Sequence, residues 1–289
     1  MKQIAIISGK GGTGKTTLTA SFAALAKNVV VADCDVDAAD LHLLLEPRAV
    51  AKHEFRGSRI PIIDELACTK CGKCEEACRF NAIKEFTVNL NLCEGCGVCA
   101  YICPTSAISL KEKVSGQAFI SKTRFGPMAH ARLGIAEENS GKLVTHVRNN
   151  AKQIAENESR SLILIDGPPG IGCPVIASLT GVNLVVVVTE PTVSGLHDLE
   201  RILGVAEHFR VFSLVCINMY NINKENTEKI IEMCKRKGID VVGKIPFDPM
   251  VTEAMVAGKT VIEYSPNSEI SKKIEEIWNK VLDTLNQSA

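Results

Sequence analysis

The stretch Ser8-Gly9-Lys10-Gly11-Gly12-Thr13-Gly14-Lys15-Thr16-Thr17 constrains this chain more than any other. It follows the apolar run Ile4-Ala5-Ile6-Ile7 and precedes the helix-suited residues Leu18 to Ala26. A strand, a glycine turn and a helix in that order commit the amino terminus to an α/β fold. Gly9, Gly14, Lys15 and Thr16 satisfy the spacing G-x-x-x-x-G-K-[ST]. Small residues at Gly11, Gly12, Thr13 and Gly14 bare backbone N–H groups toward phosphate oxygens, and the helix start at Lys15, Thr16 and Thr17 adds partial positive charge. Lys15 is expected to reach the β and γ phosphates, and Thr16 to hold Mg²⁺.

The apolar runs Val29 to Ala32, Leu162 to Ile165, Leu184 to Val188, Val211 to Ile217 and Val241 to Ile245 read as buried parallel strands. Helical segments separate the later ones, which predicts a doubly wound, mostly parallel sheet with helices on both faces. Two of these strands end in carboxylates, at Asp33-Cys34-Asp35-Val36-Asp37 and at Asp166-Gly167-Pro168-Pro169-Gly170. Strand ends of this kind line ligand sites in such sheets.

Lys10 is a second loop lysine that the general pattern does not need. With it, the loop resembles the deviant K-G-G-x-G-K-[ST] of the MinD/ParA/nitrogenase-iron-protein ATPases. The resemblance implies a slow, partner-stimulated, Mg-dependent ATPase that works as a homodimer, with Lys10 crossing to the partner's nucleotide. It also implies that Asp35 orients the attacking water, that Asp33 lies near the Mg²⁺ shell, and that Asp166 belongs to a Walker B and second switch. Asn218 would hydrogen-bond adenine and Pro246-Phe247-Asp248 would wall the base. A plain strand-ending turn at Asn218 stays open as the alternative.

Twelve cysteines are many for a chain expected in the cytoplasm, and eight of them fall between residues 68 and 103. Clustering of this kind in a reducing compartment argues for metal ligation. Cys68, Cys71, Cys74 and Cys78 recur 25 positions later as Cys93, Cys96, Cys99 and Cys103, and Ala82-Ile83 recurs as Ala107-Ile108. Each run has the spacing of a bacterial ferredoxin, in which three thiolates grip one [4Fe–4S] cluster and the fourth serves the other. Cys68, Cys71, Cys74 and Cys103 are therefore assigned to one cluster, and Cys93, Cys96, Cys99 and Cys78 to the second. Arg79 stands where such a run normally has proline. Zinc is the alternative, but a tetrahedral site has no use for the extra cysteines.

The expected organisation is an ATPase domain in two parts, 1–59 and 111–289, around an inserted α+β ferredoxin-like domain at 60–110. Residues 46–63 read as extended connections, and Phe125-Gly126-Pro127 as a boundary. Spaced apolar residues from Leu143 to Ala155 and from Ile270 to Leu285 predict amphipathic helices, the second packed on the sheet rather than on a membrane. His130 and His146 are better taken as packed or solvated imidazoles than as ligands. Lysine plus arginine and aspartate plus glutamate both number 33, so no net charge favours nucleic acid or anionic membrane. No apolar stretch reaches the roughly 18 residues of a membrane span, and a cytoplasmic location is expected. The leading expectation is nucleotide state coupled to electron transfer with a redox partner protein. The alternative is a carrier or assembly factor for a metallocluster client, to which Cys173, seven residues after Asp166 within the expected second switch segment, would contribute.

Overall fold

Each of these apolar runs forms a strand of one sheet. The computed structural model describes residues 1–134 and 140–287. The chain opens with β1 (Lys2–Ser8), α1 (Lys15–Leu25), β2 (Val29–Asp33), α2 (Leu41–Leu45) and β3 (Arg48–Phe55). The cysteine-bearing segment holds β4 (Ser58–Ile63), α3 (Lys73–Glu76), β5 (Ile83–Lys84), β6 (Thr87–Val88), α4 (Val98–Tyr101) and β7 (Ile108–Lys113). There follow β8 (Gly116–Thr123), β9 (Gly126–Leu133), α5 (Ser140–Asn157), β10 (Leu162–Pro169), α6 (Cys173–Leu179), β11 (Leu184–Thr189) and α7 (Val193–His208). The chain closes with β12 (Ser213–Asn218), α8 (Lys224–Arg236), β13 (Asp240–Ile245), α9 (Pro249–Val256), α10 (Val261–Tyr264) and α11 (Glu269–Gln287).

Two compact units result. One comprises Met1–Lys52, Ala118–Ala131 and the chain from Ser140 onward; the other centres on His53–Gln117. The larger unit is built on a sheet of order β13-β12-β11-β1-β10-β2-β9-β8-β3. β1 sits between parallel partners β10 and β11, and every residue of β2 and β11 is buried. Strands covered on both faces need continuous apolar runs, which is why they were legible. α5 buries Leu143, Val144, Val147, Ala151, Ile154 and Ala155. α11 buries Ile270, Ile274, Ile277, Trp278, Val281 and Leu285, and the Trp278 ring lies 4.9 Å from Phe22 of α1. No described helix is long and apolar enough to cross a membrane.

Two expectations need correction. Residues 46–63 are not mere connections, because β3 forms an edge of the large sheet and β4 pairs antiparallel with β7. Phe125-Gly126-Pro127 is not a boundary. It closes the two-residue link between β8 and β9, which must therefore run antiparallel. A Gly-Pro pair punctuates a turn between strands as readily as a junction between domains. Arg124 in this link donates from Nε and Nη2 to both carboxylate oxygens of Glu263, at 2.6 and 2.9 Å, and from Nη2 to Leu44 O at 2.6 Å.

In the smaller unit the 25-residue sequence repeat is also a repeat of backbone conformation. α3 and α4 are the same stretch one repeat apart. The positive φ angles recur in step: 53° at Lys70 and 63° at Gly95, 77° at Gly72 and 80° at Gly97, 52° at Asn81 and 53° at Ser106. Cys74, Ile83 and Ile108 form its small core. In the larger unit, Trp278→Ala removes a ring that is 3% exposed. It is expected to cost about 3–5 kcal/mol, read as a lower urea midpoint. A loss under about 1 kcal/mol would contradict the packing described.

Candidate functional site

Parallel register assembles the nucleotide end of the sheet. Ile6, Asp166, Asp33 and His130 are successive partners across β1, β10, β2 and β9. Asp166 and Asp33 thus stand side by side. β2 stops at Asp33 while β10 runs on to Pro169, opposite Ser8. Beyond Asp33 no described strand pairs with the β2 side of β10. Cys34 N donates to Asp166 O at 2.8 Å, and Gly170 N to Ser8 O at 2.9 Å, tying the two carboxylate segments and the loop together.

Lys15 begins α1 and its side chain is 6% exposed. Its ammonium lies 3.3 Å from both Asp35 Oδ2 and Asp166 Oδ1, and 3.2 Å from Thr16 Oγ1. Burial alone would lower its pKa, but Asp166, Asp35 and Asp33 together outweigh burial and raise it. Burial, then repulsion from Asp166, holds the Asp33 carboxyl well above the usual carboxylate range, and Asp35 is raised chiefly by burial. Thr19, which sequence analysis did not single out, donates to Asp166 Oδ1 at 2.9 Å. Its place four residues after Lys15, on the same helix face, was the available signal.

Asp33 Oδ2, Asp166 Oδ2 and Thr13 Oγ1 are buried with no hydrogen-bond partner. Orphaned buried oxygens are costly. A hard divalent cation with its water shell is the partner that the two carboxylates fit, so the site accommodates Mg²⁺.

Around this centre Gly14 takes φ 86°, and a Cβ there would collide with the Asn218 amide. Asn218 Nδ2 donates to Thr13 O at 2.9 Å, so Asn218 buttresses the loop. Pro246 follows β13; Phe247 is half exposed and Asp248 caps α9. Lys10 is 2.6 Å from Glu190 Oε1 of its own chain and also donates to Ser194 Oγ at 2.9 Å. With about 180 residues between them, nothing in the sequence linked Lys10 to Glu190. His130 is hydrogen-bonded to Ser121 at 2.8 Å and stacked on Phe119; His146 lies on α5.

The eight clustered cysteines surround two cavities. Cys68, Cys71, Cys74 and Cys103 line the first, and Cys93, Cys96, Cys99 and Cys78 line the second. Each cavity takes three thiols from one run and the fourth from the other. The fourth thiol of each run accepts a backbone N–H at 3.3 Å, from Ala82 to Cys78 and from Ala107 to Cys103. Among the described residues, no three His, Cys, Asp or Glu side chains form a group that could hold a single metal ion. Outside the segment, burial pushes the Cys216 thiol up to about 12 and Cys234 up to about 11, and raises Cys34 further still. Cys173 is exposed at the start of α6.

A loop that cradles phosphate, a buried lysine and paired strand-end carboxylates define a P-loop nucleotide-binding protein. Residues 4–261 match the CobQ/CobB/MinD/ParA nucleotide binding domain, and the chain belongs to that family of P-loop ATPases. It is 36% identical over 282 residues to Uncharacterized protein MJ0578 of Methanocaldococcus jannaschii, covering 96% of each chain. Over 137 residues it is 29% identical to the iron-sulfur cluster carrier protein of Saccharolobus solfataricus, covering 42% of this chain and 45% of that one. The fold is similar to the Pyrococcus furiosus cell division ATPase MinD, with TM-score 0.61, 20% identity and coverage of 98% and 99%.

The raised Asp33 carboxyl has a consequence for stability. The folded protein keeps a proton that the unfolded chain loses just above the ordinary value of 3.8. Stability therefore falls as pH rises from there through the folded pKa. Without nucleotide or metal, the wild-type urea midpoint is expected to drop between about pH 5 and pH 8 more steeply than that of Asp33→Asn. Parallel curves would contradict the assignment.

Proposed function

We propose that the protein is an ATP-hydrolysing homodimer with two [4Fe–4S] clusters in a ferredoxin-like insertion at residues 60–110, and that nucleotide state is coupled to electron transfer through them. The sorting of eight cysteines into two crossed sets around two cavities carries this reading. That sorting fits the exchange of the fourth ligand in a two-cluster ferredoxin run. The clusters would supply one-electron redox chemistry.

The ATPase domain, 1–59 with 111–289, then works through its own side chains. Backbone amides of Gly11 to Thr17 and the Lys15 ammonium bind phosphates. Thr16 and Asp166 hold the Mg²⁺ shell, and Asp35 orients the attacking water. Lys10 exchanges Glu190 for the partner's nucleotide, while Asn218 and Pro246 take the base. The switch segments that begin at Asp33 and Asp166 respond to the γ-phosphate. The redox partner is a cytoplasmic electron-transfer protein.

A carrier or assembly role for an iron-sulfur or metallocluster client is the second reading. The similarity to the Saccharolobus carrier and the exposure of Cys173 favour it.

Prepared without oxygen, the protein should contain about eight iron and eight sulfide per chain and lose ATP hydrolysis on Lys15→Ala. Its hydrolysis rate should differ between the dithionite-reduced and the oxidised protein. A rate indifferent to cluster oxidation state, with the redox partner present, defeats the coupling. Iron passed to an apo-acceptor by wild type, but not by Cys173→Ser, favours the carrier.

A further inference from the structure

The two cysteine cavities are assembled from equivalent positions of the 25-residue repeat, so they form a matched pair in which only side-chain chemistry varies. Their sulfur ligands correspond one to one, and so do the backbone N–H groups that Ala107 and Ala82 donate to Cys103 and Cys78, both at 3.3 Å. Gly72 and Ile108 of the first lining are matched by Gly97 and Ile83 of the second, whereas three other pairs of equivalent positions differ. Thr69, Lys73 and Thr105 line the first cavity where Glu94, Val98 and Phe80 line the second. At these three pairs a cation and two hydroxyls stand in the first lining, and a carboxylate and two apolar side chains in the second; Phe86 adds an aromatic ring to the first. Thr105 Oγ1 lies 3.8 Å from Cys103 Sγ, whereas the equivalent Phe80 can offer Cys78 no hydrogen bond.

Reduction adds negative charge to a thiolate-bound cluster. Nearby cations and donors to the sulfurs stabilise that charge and raise the potential, whereas carboxylates and apolar linings lower it. We infer that the first cavity, that of Cys68, Cys71, Cys74 and Cys103, holds the cluster of higher potential, and that Lys73 and Thr105 opposed to Val98 and Phe80 set this order. The inference rests on the two-cluster reading above. A low-potential one-electron donor is oxidised as the pair takes up its electron, which at equilibrium resides in the first cavity while the second remains oxidised. Electrons therefore run through the segment from the second cavity to the first. Lys73 is exposed, so water and salt screen its charge. The Thr105 hydroxyl acts at short range and is little affected by salt.

The test is a potentiometric titration of the anaerobic full chain followed by EPR. Wild type is expected to reduce in two separate one-electron steps. Lys73→Val and Thr105→Phe each shift the upper step downward and leave the lower step in place. Val98→Lys and Phe80→Thr shift the lower step upward and leave the upper one. Raising the salt concentration shrinks the Lys73→Val shift and spares that of Thr105→Phe. A single unresolved step in wild type, or first-cavity variants that move the lower step or neither, overturns the inference. If a first-cavity variant fails to take up iron, the second-cavity pair decides by the same criterion. Wild type with far fewer than about eight iron per chain defeats the two-cluster reading and the inference with it; full loading with unmoved steps defeats the inference alone.

Discussion

The nucleotide site depends on one buried ammonium. Lys15 is held between Asp35 and Asp166, which arrive from the ends of two different strands, and it is enclosed by a loop that opens between β1 and α1. A buried cation without partners would be prohibitively costly, and two neighbouring carboxylates without a cation equally so. The three groups are therefore tolerable only together. Under the proposed function a γ-phosphate would compete for Lys15 and a divalent cation for Asp166, which would redistribute these partners. Asp35 and Asp166 each belong to a segment that leads away from the site. That exchange would then have a route into the backbone of both segments.

The order of the sheet makes this arrangement inexpensive. β1 occupies the centre, and β10 and β2 lie beside it in parallel register, which aligns Asp166 with Asp33 without help from any loop. Burial and then repulsion from Asp166 hold the Asp33 carboxyl well above the usual carboxylate range, while Asp35 and Asp166 share the ammonium of Lys15. Asn218 from the end of β12 holds the loop through Thr13 O, and Thr19 from α1 holds the Asp166 carboxylate. Lys10, held by Glu190 and Ser194, is the one loop cation that points away from this centre toward α7.

Much of this was legible in the residues themselves. Buried parallel strands must be apolar throughout, and β1, β2, β10 and β11 announced themselves on that account. The loop, its lysines and the strand-end carboxylates followed from spacing. The β3 edge was not legible. Arg48–Phe55 is mostly exposed and its polar residues do not alternate cleanly, so its place in the sheet is set by tertiary pairing rather than by pattern. Contacts that span the chain were equally hidden, since nothing in Lys10 or Arg124 indicates Glu190 or Glu263. The cysteine repeat was the opposite case. Its period is carried by both residue identity and positive φ, so the sequence alone ordered the eight thiols into the sets that the two cavities bring together.

Under the proposed function, nucleotide and electrons act on one molecule in concert. Binding free energies at coupled sites are reciprocal, so if ATP senses the clusters, the clusters must sense ATP. The most direct measurement is an EPR-monitored redox titration of the anaerobic protein with and without a saturating non-hydrolysable ATP analogue and Mg²⁺. The account predicts that the midpoint of at least one cluster shifts when the analogue is bound, and that the shift vanishes in Lys15→Ala. Midpoints unchanged in protein that demonstrably binds the analogue would contradict it.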